Sequence, residues 1–214
     1  MAIRATRAII AASALLLASC GPQTLVLPEE PVDRAATCGA VAAASERAAT
    51  PDINAPLSLE SIGRVIHYPL LAGSSGNSFS SETATAVQAR MAELQDSVGE
   101  SKWQDLIPAC RAAFPATAIE KVTLPGDRFE AQLGCDELGD FLRDALEMQE
   151  EYVNELGEYR QLSNKLDATL GTGLRSRGAS NLRTQQEERR KALATMAKAG
   201  PPASVMSECL ARFG

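Results

Sequence analysis

Asp127 to Leu170 reads DRFEAQLGCDELGDFLRDALEMQEEYVNELGEYRQLSNKLDATL, and its spacing decides the fold class. Leu138, Phe141, Leu142, Ala145, Leu146, Gln149, Tyr152, Val153, Leu156 and Tyr159 recur at the period that gathers side chains on one face of an α-helix. Asp127 and Glu130 bracket the start as a capping box. The reading is one helix from Arg128 to about Leu170, roughly 60 Å long at 1.5 Å per residue, unless Gly157 bends it.

The same logic extends outward. Asn181 to Ala199 reads as another long helix, and Pro201-Pro202 separates it from a short one at Ala203–Phe213. On the other side, residues 116–126 read as a hinge. Pro31 opens a helix as its first residue, and the Ala-rich run from Val32 continues it to Thr50-Pro51-Asp52. Ser58 is the N-cap of a second helix, with Leu59, Ile62, Val65 and Ile66 as its apolar face, ending near Pro69. Ser81 to Val98 is a third, and Lys102 to Phe114 a short fourth disturbed by Pro108. No stretch alternates with a period of two. The expectation is an all-α helical bundle of about eight helices.

The cysteines divide this bundle. Cys38 to Cys110 spans 72 positions and Cys135 to Cys209 spans 74. Shifting the chain by 99 residues lays Leu71 on Leu170, Arg90 on Arg189, Leu94 on Leu193, and Cys110, Ala112 and Phe114 on Cys209, Ala211 and Phe213. Gly/Ser-rich breaks at Gly73–Ser81 and Gly171–Ser180 coincide as well. The pattern is an internal duplication, with residues 32–115 as one half and 127–214 as the other. Two disulfides follow from an even number of cysteines in an exported chain. Four cysteines allow three pairings; a duplicated chain closes Cys38–Cys110 and Cys135–Cys209, one in each half.

Export is read from the N-terminus. Arg4 and Arg7 precede the apolar run Ala8–Ala18, which ends in Leu17-Ala18-Ser19-Cys20. The run is too short to span a bilayer and has the layout of a cleaved targeting segment. Leu at the third position before Cys, with small residues between, resembles the lipobox of bacterial lipoprotein signal peptides. That resemblance covers residues 1–20 only. It implies removal of residues 1–19 and acylation of Cys20 by chains such as palmitate. Residues 20–31, with their three prolines, are then a tether. Gly21, where well-studied families use Asp for inner-membrane retention, implies the outer membrane, facing the periplasm. Losing Arg4 and Arg7 takes the net charge from −6 to −8, which argues against nucleic acid or anionic lipid headgroups as main partners.

Chemistry-bearing residues are few. His67 is the single histidine, and the reading places it at a helix end as a surface or capping residue. Glu147, Glu151, Glu155 and Glu158 form an acidic stripe read as a solvated face, because the di-iron pattern needs Glu-x-x-His. Neither a metal nor a cofactor is expected, and c-type haem attachment lacks its motif. Tyr152, Tyr159, Trp103 and Phe114 are expected in the core. Arg189, Arg190 and Lys191 are read as satisfied along their own helix by Glu187 and Glu188. Arg175, Arg177 and Arg183, in or just after the second Gly/Ser loop, are the candidate contact site for a phosphate, a carboxylate or an acidic protein patch. The expected function is a non-enzymatic, lipid-anchored scaffold, adaptor or assembly factor with an envelope protein partner. The alternatives are a periplasmic ligand-binding module for a hydrophobic or anionic small molecule and, third, a carboxylate-based envelope hydrolase.

Overall fold

The structure is a computed structural model describing residues 26–52 and 54–214. The targeting segment and Cys20 lie outside the described residues. Among those described there are eight α-helices and no strand: α1 Pro31–Ala49, α2 Leu59–Gly73, α3 Ser81–Gly99, α4 Ile107–Ala113, α5 Arg128–Leu146, α6 Val153–Ser176, α7 Leu182–Ala197 and α8 Pro202–Phe213. Three short 3₁₀ turns lie at Trp103–Leu106, Pro115–Ala118 and Glu150–Tyr152. The caps are local. Glu30, Ser58, Ser80, Asp127 and Asn181 each accept a hydrogen bond from the backbone N–H three residues on, satisfying a donor the helix cannot. Only Asn181 and Thr184 complete the reciprocal box; Asp127 accepts from Glu130 without the return bond.

Four helices in each half follow one plan. Cys38 of α1 is bonded to Cys110 of α4, and Cys135 of α5 to Cys209 of α8. The first helix of each half packs on the second and third. Beside each first-helix cysteine is a glycine that the third helix approaches through a methionine. A Cβ on Gly39 would stand 2.5 Å from Met91 Sδ, and one on Gly134 2.3 Å from Met196 Cγ. Arg90 of α3 reaches Asp33 of α1, while Arg189 of α7 reaches Asp136 and Glu137 of α5. Arg189 therefore crosses to α5 instead of being satisfied within its own helix as its sequence neighbours implied; Lys191 alone pairs with Glu187 and Glu188.

The long helix expected over Arg128–Leu170 is two helices. The chain leaves α5 after Leu146 and folds back through Glu150–Tyr152 into α6. Buried positions step by four through Leu138, Leu142 and Leu146, then by six to Tyr152, which puts the next apolar stripe on a different face. Gln149 and Val153, counted in one stripe from sequence, are half-buried and exposed. Glu147, Glu150 and Glu151 would oppose the dipole at the end of α5, but Glu150, Glu151 and Glu155 suit the start of α6. Folding back lets Leu156, Tyr159, Leu162 and Leu166 be buried. It also ends the acidic stripe as one helix face, since Glu147 caps α5, Glu151 lies in the turn and Glu155 and Glu158 belong to α6.

The halves share a core. The main apolar cluster joins α5–α8 to Ile66, Leu70 and Leu71 of α2. The phenol of Tyr152 donates to the carbonyl of Leu57 at 2.7 Å, the N–H of Phe79 to the carbonyl of Arg190 at 3.0 Å, and the Phe79 and Phe141 rings meet edge to face. The connection between halves is held too: Ile119, Val122 and Leu124 pack on the main cluster. At the N-terminal end Leu27 packs beside Cys38 and Val98, and Arg34 donates to the carbonyls of Pro28 and Glu29.

Candidate functional site

The second Gly/Ser-rich segment, read as a loop, is helical for most of its length. Leu166, Leu170 and Leu174 continue the four-residue apolar step, and all are buried, so α6 runs on to Ser176. Gly173 is tolerated because the Phe129 ring fills the space its Cβ would take, 2.1 Å away. The stop comes at Gly178, with φ +88°. The Gly178 N–H donates to Arg175 O at 3.1 Å and the Ala179 N–H to Leu174 O at 3.0 Å, the pair of bonds that closes a helix through a left-handed glycine.

This geometry sorts the three candidate arginines. Arg175 is in the last turn of α6 and Arg177 at its C-cap, where the dipole favours cations. Arg175 donates to the Thr172 hydroxyl at 3.3 Å. Arg177 donates to both Asp127 oxygens at 3.0 Å and lies 4.4 Å from the Phe129 ring centroid. The Glu130 backbone N–H, followed by the Arg177 guanidinium, holds the Asp127 carboxyl below its ordinary range. Arg177 is thus occupied within the protein. Arg183 follows Leu182 in the first turn of α7, where the dipole opposes it, with no hydrogen-bond or ion-pair partner among the described residues. The structure adds neighbours that linear spacing did not show. Arg128 opens α5 beside Asp127, Arg212 donates to Pro125 O at 3.3 Å, and Leu182 is 77% exposed. One end of the second half therefore carries Arg128, Arg175, Arg177, Arg183 and Arg212 against Asp127 and Glu130.

Two clefts flank these elements. One, of about 240 Å³, lies between α5 and α7, with Phe129, Leu133 and Ala192 inside and Arg177, Lys191 and Glu188 at its edge. The larger, about 520 Å³, is open and sits at the seam of the halves, lined by Leu59 and Glu60 of α2, Lys121, Tyr159 of α6, and Ser204 and Ser207 of α8. Tyr159 is otherwise core, as expected of Tyr152 as well. Burial, then Glu155 and Glu158, pushes its phenol up to about 12.

His67 is neither a capping nor a surface residue. α2 continues past Pro69 to Gly73, and His67 is fully buried on it. Its Nε2 lies 2.8 Å from the Ala197 carbonyl, which can only accept, so the neutral ring carries its proton there. Nδ1 has no partner. Burial lowers the pKa from 6.5 to about 4, only partly opposed by the Ala197 bond. The folded state thus refuses a proton that the unfolded chain accepts. Stability is full above pH 6.5 and falls as pH drops from 6.5 towards 4, by about 3 kcal/mol over that window. Urea titrations from pH 7.5 to 4 on the native chain and on His67→Leu measure this. The difference between their slopes is expected to equal the His67 contribution; parallel slopes would refute it.

Asp136 and Glu137 sit beside Arg189, and burial raises both carboxyls despite that cation. They line neither cleft described above. No group of three or more His, Cys, Asp or Glu suited to a metal ion occurs among the described residues. No helix there is long and apolar enough to cross a membrane. No protein-family model, curated protein or solved structure matches this chain.

Proposed function

We propose that the protein is a lipid-anchored, non-enzymatic adaptor or assembly factor of the bacterial envelope, held at the outer membrane through Cys20 and facing the periplasm. The observation that carries the reading is Leu17-Ala18-Ser19-Cys20 behind a short apolar run, in a chain whose other four cysteines form two disulfides. Disulfides persist in oxidising compartments, so anchor and staples agree on where the chain works. Its working surfaces are helical faces carried on a stapled core. The proposal is tested by metabolic palmitate labelling and cell fractionation of the native chain and Cys20→Ala, with in-cell crosslinking to capture the partner. Label and membrane retention lost in Cys20→Ala, with one reproducible envelope protein crosslinked, is the expected result. A native chain that takes up no label would remove the anchor.

A second reading, a small-molecule binder, is favoured by the seam cleft of about 520 Å³, which lies where two units meet. Its expected mark is a non-protein ligand in the native mass spectrum that disappears on Tyr159→Ala.

A further inference from the structure

Leu182 marks the tip of the basic end. It is 77% exposed in the first turn of α7, although four-residue stripes bury most large apolar side chains of this fold. Arg183 follows it and has no hydrogen-bond or ion-pair partner among the described residues. The Asn181 cap and the bond from Gln185 to the Ala179 carbonyl hold this turn against the end of α6, which brings Arg175 and Arg177 to the same end. The Arg177 bonds to Asp127 bring in Arg128, and Arg212 reaches Pro125. The acids here are Asp127, already bonded to Arg177, Glu130, 3.9 Å from the same guanidinium, and Glu188, which shares a cleft with Glu130 and Arg177. Glu187 and Glu188, further along α7, are paired with Lys191. An end of the second half that carries five arginines against these acids, with an exposed leucine in the first turn of α7, thus stands on a chain of net charge −6.

We propose that this end docks on an anionic membrane surface, with Leu182 entering the headgroup boundary and Arg128, Arg175 and Arg183 meeting lipid phosphates. Charge complementarity favours lipid over a free small anion, because the cations are distributed over the ends of four helices at an end that also exposes Leu182. Guanidinium groups match phosphate geometry, and each cation near such a surface strengthens association about fivefold. Burial of the leucine adds to this. The contact is weak for a free protein and sufficient for an attached one. Cys20 and Val26 are at most about 20 Å of chain apart, so an acylated chain keeps the fold beside the bilayer at high effective concentration. In that setting the inference rests on the anchored reading above.

The test compares the full chain with the triple variant Leu182→Asp, Arg175→Gln, Arg183→Gln. It measures co-sedimentation with phosphatidylcholine vesicles, with and without about a third phosphatidylglycerol. Both proteins carry residues 1–25, so their difference reads only the basic end, and the three substituted residues are exposed, so melting temperatures should match. The expected result is at least tenfold weaker binding of the variant to anionic vesicles. The gap should close at about 0.5 M salt, where screening leaves only a few ångströms of range. Equal binding of the two chains to anionic vesicles overturns the proposal. So does a variant that loses binding to a polyglutamate peptide but keeps its vesicle binding, which would make an acidic protein the partner. Failure of the anchor itself appears separately, as unchanged membrane retention in Cys20→Ala cells.

Discussion

Replacing Cys135 and Cys209 together by alanine is expected to lower the free energy of unfolding by about 4 kcal/mol, a large share of the roughly 5–15 kcal/mol typical of a domain. The bridge joins the first and last helices of the second half across a sequence separation of 74, and a loop of that size loses much entropy when the unfolded chain is cross-linked. Both sulfurs are fully buried in the main cluster, so the substitution also removes packed atoms. Urea unfolding of the native and double-alanine chains, followed by circular dichroism, measures the loss. A change below about 1 kcal/mol would contradict the chain-entropy account. The same experiment on Cys38 and Cys110 tests the shared core. Because α2 contributes Ile66, Leu70 and Leu71 to the main cluster, either pair should shift one cooperative transition. Two separated transitions would mean that the halves fold apart.

Arg189→Met is expected to cost about 3–5 kcal/mol at neutral pH. Arg189 serves both Asp136 and Glu137, whose side chains are only 9% and 16% exposed, and without it two carboxylates remain buried and unpaired. The pH dependence identifies the cause. Burial already holds both carboxyls above their ordinary values. Removing the cation raises them further. A group whose folded pKa exceeds its unfolded value contributes stability below the unfolded pKa and loses it as pH rises through the folded one. The penalty should therefore be small near pH 4 and full near pH 8, and adding Asp136→Asn with Glu137→Gln should recover much of it. Arg90, its counterpart in the first half, pairs with Asp33 at about 40% exposure on both sides, so Arg90→Met should cost far less than Arg189→Met. Chemical denaturation of the two methionine variants decides the matter; equal losses would refute the burial argument.

The duplicated register was readable because it rests on residues that act locally or in pairs. The 99-residue shift places Arg90 on Arg189 and Cys110 on Cys209, and in each half the arginine does reach the first helix and the cysteine does close on it. The acids they meet are not at equivalent positions, since Asp33 and Asp136 are 103 residues apart, so the shift identified the arginine without its partner. The candidate contact site was half visible. Arg175, Arg177 and Arg183 are near one another in the chain, while Arg128, Arg212 and the exposure of Leu182 depend on α5, α6, α7 and α8 meeting at one end.

What the sequence determined by itself is what a few neighbouring residues decide: helical periods, the caps at Ser58 and Asp127, the opening at Pro31, and a cysteine spacing compatible with one staple per half. Only the tertiary structure decided that the chain turns back after Leu146, that α6 runs through Gly171 and Gly173 to Ser176 and is closed at Gly178, and that His67 is sealed against the carbonyl of Ala197. The physical reason is common to all three. A helix ends, bends or buries a polar ring according to the surface it meets. Here Phe129 fills the space beside Gly173, the shared core draws α2 inward, and Tyr152 reaches Leu57 across 95 positions of chain. Such partners are distant in sequence, and no local pattern announces them.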